Sequence, residues 1–158
     1  MTSSRTEWPC TPVSDSVKAL LNTFGALVDS KSADVGQRLS EDVFTPTGSM
    51  IVNKKVSQGR EEIRRSRDGT WAGVASRKHE FIKVYTCNEP ADDLLLIGKL
   101  TWVFSNGTAL ETTFTARAIV DQPAAVQPKL ELYQAWVVRL IQAFGRRDAL
   151  KLVVQLAG

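Results

Sequence analysis

The chain has 158 residues, 43% of them hydrophobic and 23% charged, an ordinary globular composition that is long enough for one domain with a core. Its 20 basic and 17 acidic residues leave a net charge of +3, too balanced to indicate a nucleic-acid or membrane partner. Two distant cysteines and one histidine exclude a structural zinc site, and no stretch has the roughly 18 apolar residues of a membrane span or the pattern of a secretory signal. We therefore expect a cytoplasmic protein without a metal.

The N-terminal part of the chain predicts an arm followed by a helix. Residues 1–13 are polar and contain two prolines, so we expect a flexible arm. Apolar residues then recur at helical spacing from Val17 to Val28, behind Ser14 and Ser16 as candidate N-caps. This stripe predicts the first helix.

Three short elements are predicted next. Asp34 and Gln37, three residues apart, resemble a capping box and predict a second helix, with Arg38 at the border of its apolar face. Two extended pieces around residues 53–54 predict a small hairpin. The segment REEIRRSRDGTWAGV then returns to helical character, with Trp71 near its inner side.

The second half of the chain is rich in strands, predicted at about residues 77–87, 93–104, 109–121 and 129–138. Asn106-Gly107 favours a tight hairpin between the second and third of these, so the four should form an antiparallel meander. Residues 139–158 mix apolar and basic side chains and indicate an amphipathic helical tail. Helices, a hairpin, another helix and then a long sheet give an α+β order.

The run from Val17 to Val138 resembles the nuclear-transport-factor-2-like (NTF2-like) superfamily, and within it the SnoaL-like branch of small cofactor-free enzymes. The matching stretches are LLNTFGALVDSKSADVGQRLSEDVFTPTGSMIV, GREEIRRSRDGTWAGVASRKHEFIKV and LELYQAWV. The resemblance implies a domain over residues 14–138, in which helices and a bent sheet form a cone around an apolar pocket. It also implies that no cofactor is used. Because both faces of the last strand carry apolar residues, and relatives commonly pair through the sheet, we expect a homodimer.

Arg38 and Glu131 are the first candidate catalytic pair. Fungal biosynthetic isomerases of the semipinacolase type, which the sequence resembles, are thought to use an arginine and a glutamate at corresponding places as acid and base. The resemblance implies that Arg38 and Glu131 face each other across the cone, with Tyr133 as a substrate-binding residue. In a regular strand Glu131 and Tyr133 share one face. The alternative is an ordinary exposed ion pair, worth about 0 to 1 kcal/mol.

His79 and Asp42 are the second candidate pair, implied by a resemblance to scytalone dehydratase. A lone histidine is a natural proton shuttle because its unperturbed pKa is about 6.5. The plain alternatives are a histidine bonded to the backbone or water and an Asp42 that is a solvated turn charge. Trp71 is a candidate for stacking on a substrate at the pocket mouth. The remaining arginines of that segment are most simply a solvated helix face: Arg60, Arg64, Arg65 and Arg67.

Three functions follow from these features. The resemblance favours a cofactor-independent isomerase or cyclase, for example of the semipinacol type, acting on a hydrophobic polycyclic intermediate of fungal secondary metabolism such as an indole alkaloid. A dehydratase that uses His79 and Asp42 is the second, and a non-catalytic binding or dimerisation module is the third. A pocket with Arg38 and Glu131 would favour the first, a pocket centred on His79 the second, and a cone filled by side chains the third.

Overall fold

The structure is a computed structural model that describes residues 6–123 and 126–137. Its helices are α1 (Asp15–Val28), α2 (Val35–Arg38), which continues into a π-helical turn (Leu39–Val43), and α3 (Gly59–Arg65). Its strands are β1 (Phe44–Val52), β2 (Lys55–Gln58), β3 (Val74–Thr86), β4 (Asp93–Phe104), β5 (Ala109–Asp121) and β6 (Lys129–Val137). The α+β order is confirmed, and the predicted C-terminal tail lies outside the described residues. Within the described ranges, no helix is long and apolar enough to cross a membrane.

The helices begin for different reasons. The Val17 N–H donates to Ser14 Oγ at 3.3 Å, so Ser14 is the N-cap of α1 as predicted. The apolar stripe of α1 is buried against the sheet, including Phe24 and Val28. The capping box predicted at α2 is wrong, because the Asp34 side chain makes no capping hydrogen bond and accepts one from Ser32 Oγ at 2.5 Å instead.

All six strands form one sheet in the order β2-β1-β6-β5-β4-β3. The pairs from β3 to β6 are antiparallel, which confirms the predicted meander, and β1 closes the sheet by running parallel to β6. Asn53 and Gly107 have φ angles of 53° and 85°, left-handed conformations that suit the two hairpin turns. Shifts of register against β4 and β5 indicate bulges in β3 and β6, and bulges bend a sheet.

The N-terminal segment is attached to the free edge of β3. The Glu7 N–H donates to the Ile82 carbonyl and the Val84 N–H donates to the Glu7 carbonyl, both at 2.9 Å. Thr6 Oγ1 also donates to the Phe81 carbonyl at 2.8 Å. This part of the expected flexible arm therefore pairs with the edge strand β3. Such pairing is favourable because the backbone N–H and C=O groups at the edge of a sheet otherwise have no partner strand.

Candidate active site

The concave face of the sheet and helix α1 enclose a cavity of about 100 Å³. Much of its wall is apolar and aromatic: Phe24, Val28, Met50, Leu100, Trp102 and Phe114. Its polar wall includes Arg67, Arg77, His79 and Tyr133. A cavity with an apolar lining and a few polar groups is the usual form of a small-molecule site. The cone is therefore not completely filled by side chains.

Asp29 and His79 form a tight pair at this cavity. Asp29 is the C-cap residue of α1, and its carboxylate accepts the His79 backbone N–H at 2.6 Å and contacts His79 Nδ1 at 2.5 Å. Only 17% of each side chain is exposed. Since an ionised carboxylate can only accept hydrogen bonds, Nδ1 carries the hydrogen and Nε2 of the neutral ring keeps its lone pair. The pair thus fixes the tautomer that is needed for a base.

The surroundings of His79 favour its neutral form. Burial lowers the pKa of the His79 imidazole, and the positive charges of Arg77 and Arg67 lower it further. The hydrogen bond and charge of Asp29 act in the opposite direction without reversing the shift. At neutral pH the ring is therefore an uncharged acceptor in a largely apolar cavity, where it lies edge-on to the Phe114 ring at 5.6 Å between centroids.

Two arginines lie beside this pair. Arg77 precedes His79 by two residues on β3, so both side chains point to the same face of the sheet. Arg67 follows the end of α3, and Nη2 of each arginine donates to the Val28 carbonyl at the end of α1, at 3.4 Å for Arg67. Arg77 Nε lies 3.9 Å from Asp29 Oδ1. The negative end of the helix dipole and the Asp29 carboxylate thus stabilise the arginines.

Burial affects both guanidinium groups. It lowers the pKa of Arg67 to about 10, with repulsion from Arg77 adding to the shift and Asp29 opposing it. It also lowers the pKa of Arg77, again against the attraction of Asp29. A pKa of about 10 still leaves Arg67 protonated at neutral pH. The cavity wall therefore carries positive charge.

Tyr133 supplies a neutral donor. It lies on β6, is 4% exposed and packs on the Phe24 ring at 4.2 Å between centroids. Burial raises the pKa of its phenol, and the charge of Asp29 adds to that shift. The phenol therefore stays protonated and can donate a hydrogen bond to a substrate oxygen.

The structure separates the residues singled out from the sequence into two groups. His79 and Tyr133 line the cavity, whereas Arg38, Asp42 and Glu131 do not. Arg38 Nε lies 3.9 Å from Asp42 Oδ2, and 49% and 64% of these side chains are exposed. The partner of His79 is Asp29 and not Asp42. The expected His79–Asp42 pair is therefore not formed.

Glu131 faces the solvent because β6 contains a bulge. Ile119 pairs with Leu132 and Val120 pairs with Leu130, so Glu131 is an extra residue between two adjacent positions of β5. The bulge breaks the strict alternation that would place Glu131 and Tyr133 on one face of the strand. Glu131 is exposed although Tyr133, two residues later, is buried. The expected meeting of Glu131 with Arg38 inside the cone does not occur.

Trp71 lies close to the site without lining the cavity. Its indole Nε1 donates to the Ser30 carbonyl at 3.0 Å, and its ring covers the Arg77 guanidinium at 4.4 Å from the ring centroid. Lys31 Nζ lies 5.1 Å from the same ring. Trp71 therefore supports Arg77 through a cation–π contact in this structure.

Asp29, Arg67 and Arg77 were missed by the sequence analysis. The two-residue spacing of Arg77 and His79 in a predicted strand is a signal that would have grouped them. Arg67 was assigned to a solvated helix face, but α3 ends before it and the chain turns inward. That assignment holds for Arg64 and Arg65, which form ion pairs with Glu61 at 2.8 and 2.7 Å.

The chain has the α+β cone of the NTF2-like fold, and a polar cluster lines its internal pocket. No family model matches the sequence, and no curated protein matches it.

Solved structures share the fold at low sequence identity. A protein from Jannaschia, proposed to be a SnoaL-like polyketide cyclase, has a TM-score of 0.58 at 13% identity over 93% of this chain and 97% of that one. A protein from Agrobacterium tumefaciens, proposed to be an isomerase of the SnoaL-like family, has a TM-score of 0.60 at 6% identity over 79% and 99%. A Xanthomonas campestris protein, proposed to be a calcium/calmodulin-dependent protein kinase II association domain, has a TM-score of 0.62 at 14% identity over 89% and 99%.

Proposed function

We propose that the chain is a cofactor-independent isomerase or cyclase in which His79 is the general base and Asp29 its positioning partner. The contact of 2.5 Å between His79 Nδ1 and Asp29 Oδ1, at the wall of a mainly apolar cavity, is the observation that carries the proposal. It leaves Nε2 as the acceptor, and general acid–base catalysis needs such an acceptor with a pKa near or below the working pH. The resemblance in fold to proteins proposed to be SnoaL-like cyclases and isomerases supports the same class.

The chemistry follows from the groups in the cavity. His79 Nε2 takes a proton from a carbon next to a carbonyl, or from a hydroxyl, and the Asp29 carboxylate stabilises the imidazolium that forms. Tyr133 donates a hydrogen bond to the oxygen on which negative charge develops. Return of the same proton to another carbon gives an isomer, and attack of the new carbanion on a second carbonyl closes a ring. Neither route needs a redox partner.

The substrate class follows from the lining of the cavity. Aromatic and aliphatic side chains favour a hydrophobic molecule that carries at least one oxygen. That this molecule is polycyclic is implied by the sequence resemblance. The sequence resemblance implies a semipinacol-type rearrangement of a fungal alkaloid intermediate. In that reaction His79 takes the proton of a hydroxyl, whose carbon becomes a carbonyl as one of its carbon substituents migrates to the neighbouring electron-poor carbon. The heteroatom attached to that neighbouring carbon takes up the displaced electron pair and then receives the proton. In this version His79 takes the role of base first expected of Glu131, and Tyr133 takes the role of hydrogen-bond donor first expected of Arg38.

A dehydratase is the second candidate, because the cavity contains the histidine that the resemblance to scytalone dehydratase implied. In that reaction His79 removes a proton from carbon and a hydroxide leaves from the neighbouring carbon as water. The two candidates use the same base and differ in the product. Loss of 18 mass units, about one water, would identify the dehydratase.

We also propose that the chain forms a homodimer through the convex face of the sheet. Tyr85, Leu95 and Trp136 are 43%, 44% and 44% exposed, large fractions for apolar side chains of this size. Tyr85 and Leu95 are paired across β3 and β4, so they form a continuous apolar surface. Such surfaces on soluble proteins commonly mark interaction sites.

A substrate with one acidic carbon tests the proposed base without knowledge of the natural reaction. 5-Nitrobenzisoxazole opens to a coloured nitrophenolate when a base removes its ring proton, so initial rates can be read by absorbance. We expect His79→Gln to lower kcat/KM by at least about 100-fold, because the amide keeps polarity and loses basicity.

Two variants serve as matched controls. Glu131→Gln and Asp42→Asn remove carboxylates that lie outside the cavity, so both should keep the wild-type rate. Thermal melting, recorded for every variant, separates catalytic loss from unfolding. A folded His79→Gln protein that opens the benzisoxazole at the wild-type rate would contradict the proposed function.

A further inference from the structure

The wall of the cavity carries more positive charge than the neighbouring side chains balance. Arg67 and Arg77 both line the cavity, and only 9% of the Arg77 side chain is exposed. Asp29 is the carboxylate in contact with Arg77, and it already accepts two hydrogen bonds from His79. Among the described residues, Asp29 is thus the one carboxylate that offsets the charge of both guanidinium groups.

The two guanidinium groups also have fewer hydrogen-bond acceptors than donors. Each guanidinium has five N–H groups. Nη2 of each donates to the Val28 carbonyl, and Arg67 Nη2 also reaches Thr70 Oγ1 at 3.3 Å. Nε of Arg67 and Nε of Arg77 are buried, and neither has a hydrogen-bond partner among the described residues. Buried donors without partners are uncommon in folded proteins, and a buried charge normally has a partner.

A purely structural role accounts for only part of this arrangement. The Nη2 groups satisfy the Val28 carbonyl at the end of α1, where helices leave carbonyls without intrahelical partners. One arginine would be enough for that task, and a second brings repulsion between like charges into the cavity. The carbonyl is also neutral, so it does not offset the charge. An anion within the cavity would do so.

We propose that the cavity takes a substrate that carries a carboxylate, and that Arg67 and Arg77 hold this carboxylate beside His79. The planar guanidinium forms paired, charge-assisted hydrogen bonds with carboxylates. The rest of the molecule packs against the aromatic wall formed by Phe24, Trp102 and Phe114. The substrate is then an apolar keto acid or hydroxy acid. This inference rests on the proposed function, whose substrate class it names.

Binding of matched acids and amides tests the inference. We would measure by calorimetry at pH 7 the binding of benzoate and 2-naphthoate, each against its neutral amide. The two members of a pair have nearly the same shape and differ in charge. We expect the acid to bind at least about tenfold more tightly than its amide to the wild-type protein.

Variants assign that preference to the arginines. Arg67→Met and Arg77→Met should each reduce the preference for the acid, and Arg77→Lys should restore part of it. Arg64→Met is the matched control, because Arg64 is exposed and forms an ion pair with Glu61 outside the cavity. It should leave the preference unchanged.

Three results would overturn the inference: equal binding of acid and amide by the wild-type protein, no binding of either acid at millimolar concentration, or a preference that survives in both folded methionine variants. The comparison of acid and amide binding by the wild-type protein tests the inference even when a variant fails to fold. 5-Nitrobenzisoxazole has no carboxylate, so His79-dependent turnover of it is independent of this test. If the wild-type protein shows no acid preference but still turns over 5-nitrobenzisoxazole by means of His79, only the carboxylate inference is overturned. If the acid preference is present and the turnover does not depend on His79, only the proposed base is overturned.

Discussion

At the scale of single residues, the function of His79 depends on three charged neighbours that act in different directions. Burial, Arg77 and Arg67 lower its pKa, and Asp29 raises it. The lone histidine was identified from the sequence because its chemistry is a property of the residue itself. Asp29 could not be assigned in the same way, because it lies 50 positions from His79 and the pair is formed only by packing of α1 on β3.

The pH dependence of the rate follows from the direction of the shift. The neutral imidazole is the base, so the rate should rise with pH and reach a plateau once His79 has lost its proton. Because burial lowers the pKa below its usual value of 6.5, we expect the midpoint of kcat/KM for 5-nitrobenzisoxazole below 6.5. A midpoint above 6.5 would contradict this expectation, because it would show that the effect of Asp29 on the pKa outweighs that of burial and the two arginines.

Asp29→Asn tests the positioning role. Asparagine has a similar shape but cannot stabilise the imidazolium by charge, so kcat should fall, by about 10-fold or more, with little change in KM. Because Asp29 raises the pKa of His79, its replacement should also move the midpoint of the pH profile to a lower value. A merely structural role would lower thermal stability without moving that midpoint. An unchanged or higher midpoint in folded protein argues against the assignment.

At the scale of elements, local patterns predicted the long strands well. Asn106-Gly107 predicts one turn because both residues tolerate the left-handed backbone angles of a tight hairpin. The alternation of apolar residues predicts β4 and β5. The bulge at Glu131 could not be read from β6, because it results from pairing with its two neighbours, β1 and β5. The short helix α3 was predicted too long, and this error placed Arg67 on a solvated face.

Gly98 shows how a single position of β4 shapes the cavity. A Cβ atom added at Gly98 would lie 2.2 Å from Cζ of Phe114, so this aromatic wall of the cavity packs directly on the glycine backbone. We expect Gly98→Ala to displace Phe114 and to lower the free energy of unfolding by about 1–3 kcal/mol, a typical cost of overpacking. Urea denaturation would measure the change.

Gly69→Asn is a suitable control for denaturation, since nothing lies within 4 Å of a Cβ at Gly69 and its φ of 71° is one that asparagine tolerates. An unfolding free energy of Gly98→Ala equal to that of the wild type would mean that the ring moves without cost. The close approach of Phe114 to Gly98 would then not determine the shape of the cavity.

At the scale of the whole molecule, the two faces of the sheet form different surfaces. The concave face forms the cavity, and the convex face presents the apolar side chains of Tyr85, Leu95 and Trp136. If the convex face is the dimer interface, Leu95→Lys should produce a monomer in sedimentation experiments at tens of micromolar, about the range in which such interfaces associate. Turnover of 5-nitrobenzisoxazole should persist, because the site lies on the other face. A wild-type protein that sediments as a monomer at the same concentration would contradict the proposed dimer.

The most direct test of the proposed base uses the fact that the chain has one histidine. In protein without a histidine tag, labelled with nitrogen-15 histidine, the two imidazole nitrogens report the protonation state and tautomer of His79 alone. At pH 7 the structure predicts a neutral ring with its hydrogen on Nδ1, facing Asp29, and a free lone pair on Nε2. An imidazolium at pH 7, or a neutral ring with its hydrogen on Nε2, would contradict the assignment of His79 as the base.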